Sequence, residues 1–520
     1  VWLVLFVLPL AAAQAVSPPP PEHPASASTP ATSSDGGSDE IIQDPMAPPV
    51  QAPTPSGPLV QPARPRVWRA TLETRAAALT SWADSVGPKD IAEWRTWALL
   101  DAGEKTTDRF TWEIGARFDL LTRAERGSTA LFRRTATTFE ARAWEAYVDV
   151  GVLDNLRFKV GNQIISWGRL DLASAADMLG AYDLRQGPAV DLDSMRIPTP
   201  SVVASYYPVE ALSFDLGYTP FFTPDRFDVL GTNYALVGPN VPAAGSVQLA
   251  ELRQQLTPST YAEFSDELAR LSQPDARPDN GEVAARSTLH TRRLDVALSA
   301  GWLRSKLPAI ETTAGFAQFL SAPPTLGSLT AVYDSLQNGQ PLIQTRYDRY
   351  LQTAVDGEAA VGPLTLAAEV GYTPKRPIYV YDPSNPFPSS ASSGLSQVGG
   401  KVTYAGSFDT FITGEMSLFQ ATDSPPAGTR YLGFARDNRF VVGLIAARKA
   451  FGQHTLDAAA VVTSTGPSLV AIGRYGYAVT DTLVVGLGAV VIAGPSPYDG
   501  SLGSMAKGLD QVFLFASWRP

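Results

Sequence analysis

Residues 364–373 read Leu364-Thr365-Leu366-Ala367-Ala368-Glu369-Val370-Gly371-Tyr372-Thr373. Leu364, Leu366, Ala368, Val370 and Tyr372 fall on one face of an extended chain, and Thr365, Ala367, Glu369 and Gly371 fall on the other, because successive β side chains point in opposite directions. One face is apolar and ends in an aromatic; the other is small, polar and charged. The same pattern recurs up and down the chain. Leu294, Val296, Leu298, Ala300 and Trp302 alternate with Asp295, Ala297, Ser299 and Gly301; Val512, Leu514, Ala516 and Trp518 alternate with Gln511, Phe513, Phe515 and Ser517.

About eighteen such segments can be drawn, near 66–79, 91–103, 108–122, 138–151, 156–168, 200–208, 211–219, 282–290, 293–304, 344–361, 363–373, 393–405, 408–420, 436–450, 453–464, 467–479, 481–493 and 508–519. The first two carry the weakest pattern, which leaves sixteen strands as the alternative count. Short turns at 153–155, 208–210, 361–363, 406–407, 451–453 and 480–481 alternate with long connections at 169–199, 220–281, 305–343, 374–392, 421–435 and 494–507. Short turns at one end and long loops at the other are the mark of an up-and-down transmembrane β-barrel. A soluble two-sheet sandwich also gives period-two strands. The barrel is favoured by aromatics near strand ends on the apolar faces (Trp68, Trp112, Tyr218, Trp302, Tyr372, Tyr404 and Trp518), the positions of an interfacial girdle. The predicted class is therefore an all-β, antiparallel barrel with short helices in its long extracellular loops. The helix-like patterns lie at 170–185, 247–271 and 314–337.

The flanking sequence predicts an address. Val1–Leu10 is a short apolar run followed by Ala13-Gln14-Ala15, which reads as a secretory signal peptide over 1–15. Residues 16–65 hold 14 prolines and no aromatic residue, a composition that cannot bury enough apolar surface to order itself. This segment reads as a linker that either contacts the cell wall or periplasm or acts as a plain spacer, and the barrel occupies 66–520. The expected location is the outer membrane of a Gram-negative bacterium after signal-peptide cleavage, with lipid as the surrounding partner.

Composition narrows the function. The chain has 520 residues, no cysteine and three histidines, so disulfide scaffolds, thiolate metal sites and cysteine nucleophiles are excluded. Its 41 basic and 51 acidic residues give a net charge of −10, which argues against nucleic acid as a partner. Charged residues make up 18%, below the usual quarter. No Gly-x-Ser-x-Gly elbow or His-Glu-x-x-His motif occurs. Gly486-Leu487-Gly488 lacks the third glycine of a dinucleotide loop and reads as small residues in a strand face. The expectation is a non-enzyme with no metal and no cofactor.

Lipid cannot take the charged faces at low cost, since a basic residue at the midplane costs about 2–4 kcal/mol. The lumen is therefore predicted to be lined by Glu73, Glu113, Asp119, Glu145, Asp149, Asp215, Asp295, Asp356, Glu358, Glu369, Glu415 and Asp457, with Arg69, Arg75, Arg117, Arg157, Lys159, Arg286, Lys401, Arg448 and Arg474. Asp149 should face one of Arg157 and Lys159 across a hairpin. The mixed signs argue against a dedicated anion pore, which needs a clear basic ring. Where the strand ending near 168 meets its long loop, Gln163, Trp167, Arg169 and Arg185 are the predicted pore mouth.

That same strand carries a resemblance. Val160-Gly161-Asn162-Gln163-Ile164-Ile165-Ser166-Trp167-Gly168 resembles the signature of a family of bacterial outer-membrane barrels carried under a domain-of-unknown-function label, in which Gly-x-Gln is followed by Trp-Gly. Asp183-Leu184-Arg185 and Arg196-Ile197-Pro198-Thr199-Pro200 match its loop pieces, and Glu145-Ala146-Tyr147-Val148-Asp149 its preceding strand. The close resemblance covers roughly 140–230. It implies an outer-membrane channel or transport role for a small solute of undefined identity, and no catalytic residues. The end of the chain departs from the usual pattern: two residues follow Trp518, where such barrels commonly finish on an aromatic. The sequence thus predicts a channel partly closed by its loops. The alternatives are a plugged surface barrel whose loops bind a partner, and a secreted soluble β-protein.

Overall fold

The computed structural model describes residues 67–79, 91–107, 109–124, 135–185, 195–227, 277–313, 316, 326–338, 340, 342–382, 385–406, 409–464, 468–494 and 509–519. The predicted signal peptide, the proline-rich linker and the helix-like pieces at 247–271 lie outside these residues.

Eighteen long strands form a single antiparallel ring. In chain order they are β1 Val67–Leu79, β2 Ile91–Thr107, β3 Phe110–Ala124, β4 Thr135–Leu153, β5 Leu156–Gln163 and β6 Thr199–Val209. There follow β7 Leu212–Thr219, β8 Glu282–His290, β9 Leu294–Arg304, β10 Arg349–Val361, β11 Leu364–Asp382 and β12 Asn385–Gly406. The last six are β13 Thr410–Ala421, β14 Arg439–Phe451, β15 His454–Thr463, β16 Ser468–Ala478, β17 Leu483–Ala493 and β18 Gln511–Trp518. Each pairs with its chain neighbours, and β1 closes the ring on β18, with Leu72 opposite Trp518 and Leu79 opposite Gln511. Closure removes every edge strand, so all ladder groups are paired without water. The count is eighteen, not sixteen: β1 and β2, the weakest readings, are full members of the wall.

The wall is inverted relative to a soluble sandwich. Trp68, Leu72, Leu298, Val355, Val370, Met416 and Leu514 point outward and are exposed, while Arg75, Arg117, Asp295, Asp356, Glu369 and Glu415 point inward and are buried. An outer face of bare valine, leucine and tryptophan is costly in water and matched to lipid. Of the predicted girdle, Tyr218, Trp302 and Tyr372 form a rim at the long-loop end, where Val283 lies opposite both Tyr218 and Trp302. Trp68, Trp112, Tyr404 and Trp518 mark the short-turn end. Leu364 and Tyr372 stand eight residues apart on β11, roughly 26 Å at about 3.3 Å per residue. With strands tilted by about 40°, that corresponds to a belt about 20 Å high, near the ~25 Å expected of a membrane barrel. No helix among the described residues is long and apolar enough to cross a membrane.

Three boundaries differ from the sequence reading. The long loop expected at 374–392 is instead a continuation of the hairpin, with β11 running to Asp382 and β12 starting at Asn385. Pro374 interrupts the ladder, which absorbs it as a register shift between Thr373 and Arg376, while Pro377 stays in register opposite Ser392, after which Ile378, Tyr379 and Val380 are buried. The strand expected over 344–361 is split, because Ile343–Arg346 pairs with Ala309–Thr312 while the barrel strand starts at Arg349. The strand expected to reach 168 stops at Gln163, and the chain beyond it turns into the lumen. In the loop between β9 and β10, helix α1 (Leu326–Gln337) falls within the helix-like stretch at 314–337, whereas the helix-like stretch at 170–185 forms no helix because wall glutamates take its amides.

Candidate functional site: a loop seated inside the barrel

The segment from Ile164 to Arg185 leaves the top of β5 and crosses to the opposite wall, where two inward carboxylates hold it. Glu369 on β11 accepts the backbone N–H groups of Arg169, Leu170 (3.0 Å) and Ala175 (2.8 Å), and the Ser174 hydroxyl (2.8 and 3.0 Å). Glu415 on β13 accepts those of Asp171 (2.8 Å), Leu172 (3.0 Å) and Ala173 (3.4 Å). A loop enclosed in a barrel has no sheet to pair with, so its amides need acceptors, and a buried carboxylate with several N–H donors answers both needs. Two glutamines complete the seat from the other side of the peptide, with Gln352 donating to the Ala175 carbonyl and Gln397 to that of Ala173 (2.6 Å). Lys401 reaches Asp171 at 3.2 Å. Ser174 also accepts the amides of Ala176 and Asp177 (both 3.1 Å), which folds the segment back on itself.

Glycine shapes the seat. A Cβ on Gly371 would lie 2.4 Å from Ala175, one on Gly217 2.7 Å from Leu179, and one on Gly399 2.5 Å from Leu170. These three inward positions on β11, β7 and β12 are smooth because the loop presses on them. Ile165, Ala175, Ala176, Met178 and Leu179 pack with Ala284, Leu303, Tyr350 and Ala354 of the wall, and Trp167 covers the edge of this cluster. The loop is thus held by an apolar contact as well as by hydrogen bonds.

The four residues predicted for the pore mouth are placed in separate surroundings. Gln163 ends β5, fully buried, and donates to the carbonyls of Lys159 (3.1 Å) and Ser201 (3.3 Å). Trp167 packs under the loop. Arg169 points toward the wall carboxylates, 3.4 Å from Asp356, 3.7 Å from Asp295 and 3.8 Å from Glu358. Arg185 sits where the loop leaves the lumen, bonded to Asp183 (2.8 and 2.6 Å) and Glu140 (3.0 Å). Burial pushes the Asp183 carboxyl up, but the hydrogen bonds and charge of Arg185 and the nearby Arg142 and Arg226 more than reverse this, holding it well below the usual carboxylate range.

The predicted lumen residues form pairs on the inner wall. Arg286 clamps Asp356 in a two-pronged contact at 2.7 and 2.8 Å. Asp149 lies opposite Lys159 in register, while its ion pair runs to Arg157 at 3.0 Å; the Lys159 ammonium stands 3.7 Å over the Tyr147 ring. Tyr147 donates to Glu113 (2.6 Å), Glu145 accepts the Ile164 amide (3.3 Å), and Asp215 accepts the Ser205 hydroxyl at 2.5 Å. His290 stands 3.3 Å from Asp295. Arg474 lies over Phe515. Sequence reading missed Glu93, Arg95, Asp101 and Arg142, also inward. Arg142 was hidden by a bulge: the β3–β4 register skips between Ile114 and Ala116, so Arg142 and Trp144 face in on one phase and Glu145, Tyr147 and Asp149 on the other. It also missed an apolar patch on this wall, where Val470, Ile472, Val490 and Ile492 pack with Phe513 and Phe515. The two phenylalanines lie over Gly488 and Gly486, their direct partners across the β17–β18 ladder. No cluster of metal-ligating side chains occurs among the described residues.

Above the seated loop, toward the long-loop end, lies a pocket of about 100 Å³ between residues 173–182 and the extended walls of β10, β11, β12 and β13. Asp225 and Arg376 face it, with Tyr350, Tyr379 and Phe419 among its walls. Burial pushes the Asp225 carboxyl up to about 7 against the pull of the Tyr182 amide (2.8 Å) and the charges of Lys306 and Arg376.

A closed eighteen-strand antiparallel ring with a lipid-matched outside, a charged inside and a loop seated in its lumen defines a membrane-type β-barrel. Residues 104–479 match the model of the DUF1302 family, described as a protein of unknown function, and the chain belongs to that family. No curated protein matches the sequence. Among solved structures, OccAB4 of Acinetobacter baumannii aligns at 9% identity with a TM-score of 0.46, covering 88% of this chain and 99% of that one. OpdK of Pseudomonas aeruginosa, solved with vanillate, aligns at 11% identity and 0.43 over 87% and 98%. A BenF-like porin from Pseudomonas fluorescens Pf-5 aligns at 12% identity and 0.45, also over 87% and 98%.

Proposed function

We propose that this protein is an outer-membrane channel for small solutes, whose bore is set by the loop 164–185. The observation that carries this reading is the seat itself: Glu369 and Glu415, buried on two wall strands, spend their acceptor capacity on the amides of one loop. A barrel that needed only to span lipid would gain nothing from holding a loop across its lumen, whereas a channel needs a constriction of defined shape. The mixed charge around it, with Arg169 before Asp295, Asp356 and Glu358, supports passage of polar solutes without a single-sign filter.

One observation favours a second reading, a plugged barrel whose loops serve a surface partner. On β1, β2, β3 and β18, Arg75, Arg95, Arg117 and Phe513 are almost fully buried, although they face the lumen. A wide aqueous bore would wet them. Conductance of the refolded protein in planar bilayers separates the two. Discrete open steps are expected of the channel; a folded barrel that inserts yet stays silent would establish the plugged form.

A further inference from the structure

The pocket above the seated loop holds polar atoms that the protein itself does not satisfy. The Arg376 guanidinium, half-buried, has no carboxylate partner among the described residues; its contact is the Tyr350 ring, 5.3 Å from guanidinium carbon to ring centroid. Asp225, 5% exposed, uses Oδ1 for the Tyr182 amide, and its Oδ2 has no donor among the described residues. By contrast, Asp177 is engaged by the Tyr182 hydroxyl (2.6 Å) and by Arg196 (3.4 Å). The other charged and amide groups of the lining are engaged as well: Lys306 with Glu282 (2.6 Å), Gln352 and Gln397 with loop carbonyls. Tyr350, Tyr379, Phe419 and Met178 supply an apolar side.

One spare cation, one spare anionic oxygen and an apolar wall in a single small pocket form a pattern that one ligand chemistry completes. We propose that this pocket binds a small zwitterion of the α-amino-acid type, its carboxylate on Arg376, its ammonium on Asp225, and a short apolar side chain against Tyr350, Tyr379 and Phe419. A simple anion would leave Asp225 unmet and face its charge; a simple cation would leave Arg376 unmet. Size limits the side chain: about 100 Å³ is smaller than the ~150 Å³ cavity that accepts benzene. This deepens the channel reading and rests on it for calling the ligand a transported solute.

The test is calorimetry on the folded full chain in detergent with three probes of one skeleton: L-valine, 3-methylbutanoate, which lacks the ammonium, and 2-methylpropylamine, which lacks the carboxylate. L-valine should bind at least tenfold more tightly than either. Arg376→Gln should weaken L-valine and 3-methylbutanoate together, and Arg376→Lys should restore part of both. Asp225→Asn should weaken L-valine and strengthen 3-methylbutanoate, so that the two bind alike. Equal or tighter binding of either truncated probe, or no L-valine binding by folded wild type, overturns the zwitterion site. Planar-bilayer recordings on the same preparation keep the two claims apart: conduction without L-valine binding sinks only the site, and L-valine binding without conduction sinks only the channel.

Discussion

At the residue scale, the lumen is organised by carboxylates that look alike in sequence and differ in what surrounds them. Glu415 accepts three loop amides. Glu415→Ala would leave these groups without their acceptor, each at a cost of about 1–3 kcal/mol while it stays buried. The loop should then detach while the barrel persists, which proteolysis of the folded protein would register as new cleavage between residues 164 and 185. Retained protection there would show that the apolar packing alone suffices. Asp225 gives a pH dependence. It is raised to about 7 by burial, among Lys306, Arg376, Glu282 and the hydroxyls of Tyr182, Tyr347, Tyr350 and Tyr379. An ammonium requires it ionised, so L-valine affinity should fall about tenfold from pH 8 to pH 6, and the Asp225→Asn profile should be flat. Folding has the opposite sign: a carboxyl raised in the native state contributes stability that is fully present below the ordinary carboxylate range and lost as pH rises through about 7. A wild-type affinity that does not change over this range would contradict the role given to Asp225.

At the scale of elements, the loop 164–185 and its smooth seat are one unit. Gly371→Val would place a side chain where Ala175 lies, since even its Cβ would fall 2.4 Å from that residue. The loop should be displaced and single-channel conductance raised, with heat-modifiable gel migration unchanged because the strand itself is intact; unchanged conductance would contradict the seat. This scale also shows what could be read in the sequence. Period-two alternation placed all eighteen strands, and charge placed Arg286, Asp356, Glu369 and Glu415 on the inner wall, since lipid leaves them no other side. Alternation says nothing about a residue's partner two hundred positions away, so the two glutamates read only as lumen charge, and Gly217 and Gly371 only as small. The sequence reading ended a strand at 373, just before Pro374, a residue that cannot donate to a ladder; the structure passes it at a register shift. Arg142 was invisible because one bulge inverts the phase of β4.

At the scale of the whole molecule, the low charge fraction acquires a place. Half of each strand faces lipid and carries almost none, and the charges that remain are concentrated within the lumen and in the loops. The outward belt makes a separate prediction. Val370, 53% exposed at mid-strand, should tolerate leucine, whereas Val370→Lys should destabilise the barrel by about 2–4 kcal/mol, seen as a lower urea midpoint for the protein in lipid vesicles. An unchanged midpoint would mean that this face does not meet hydrocarbon. The interior is decided by single-channel recording in planar bilayers of the wild type beside Glu369→Ala/Glu415→Ala. Discrete steps in the wild type and steps at least twice as large in the double variant are the predicted result. Silence in both folded proteins, or identical steps, would contradict the assignment of the seated loop as the constriction of a channel.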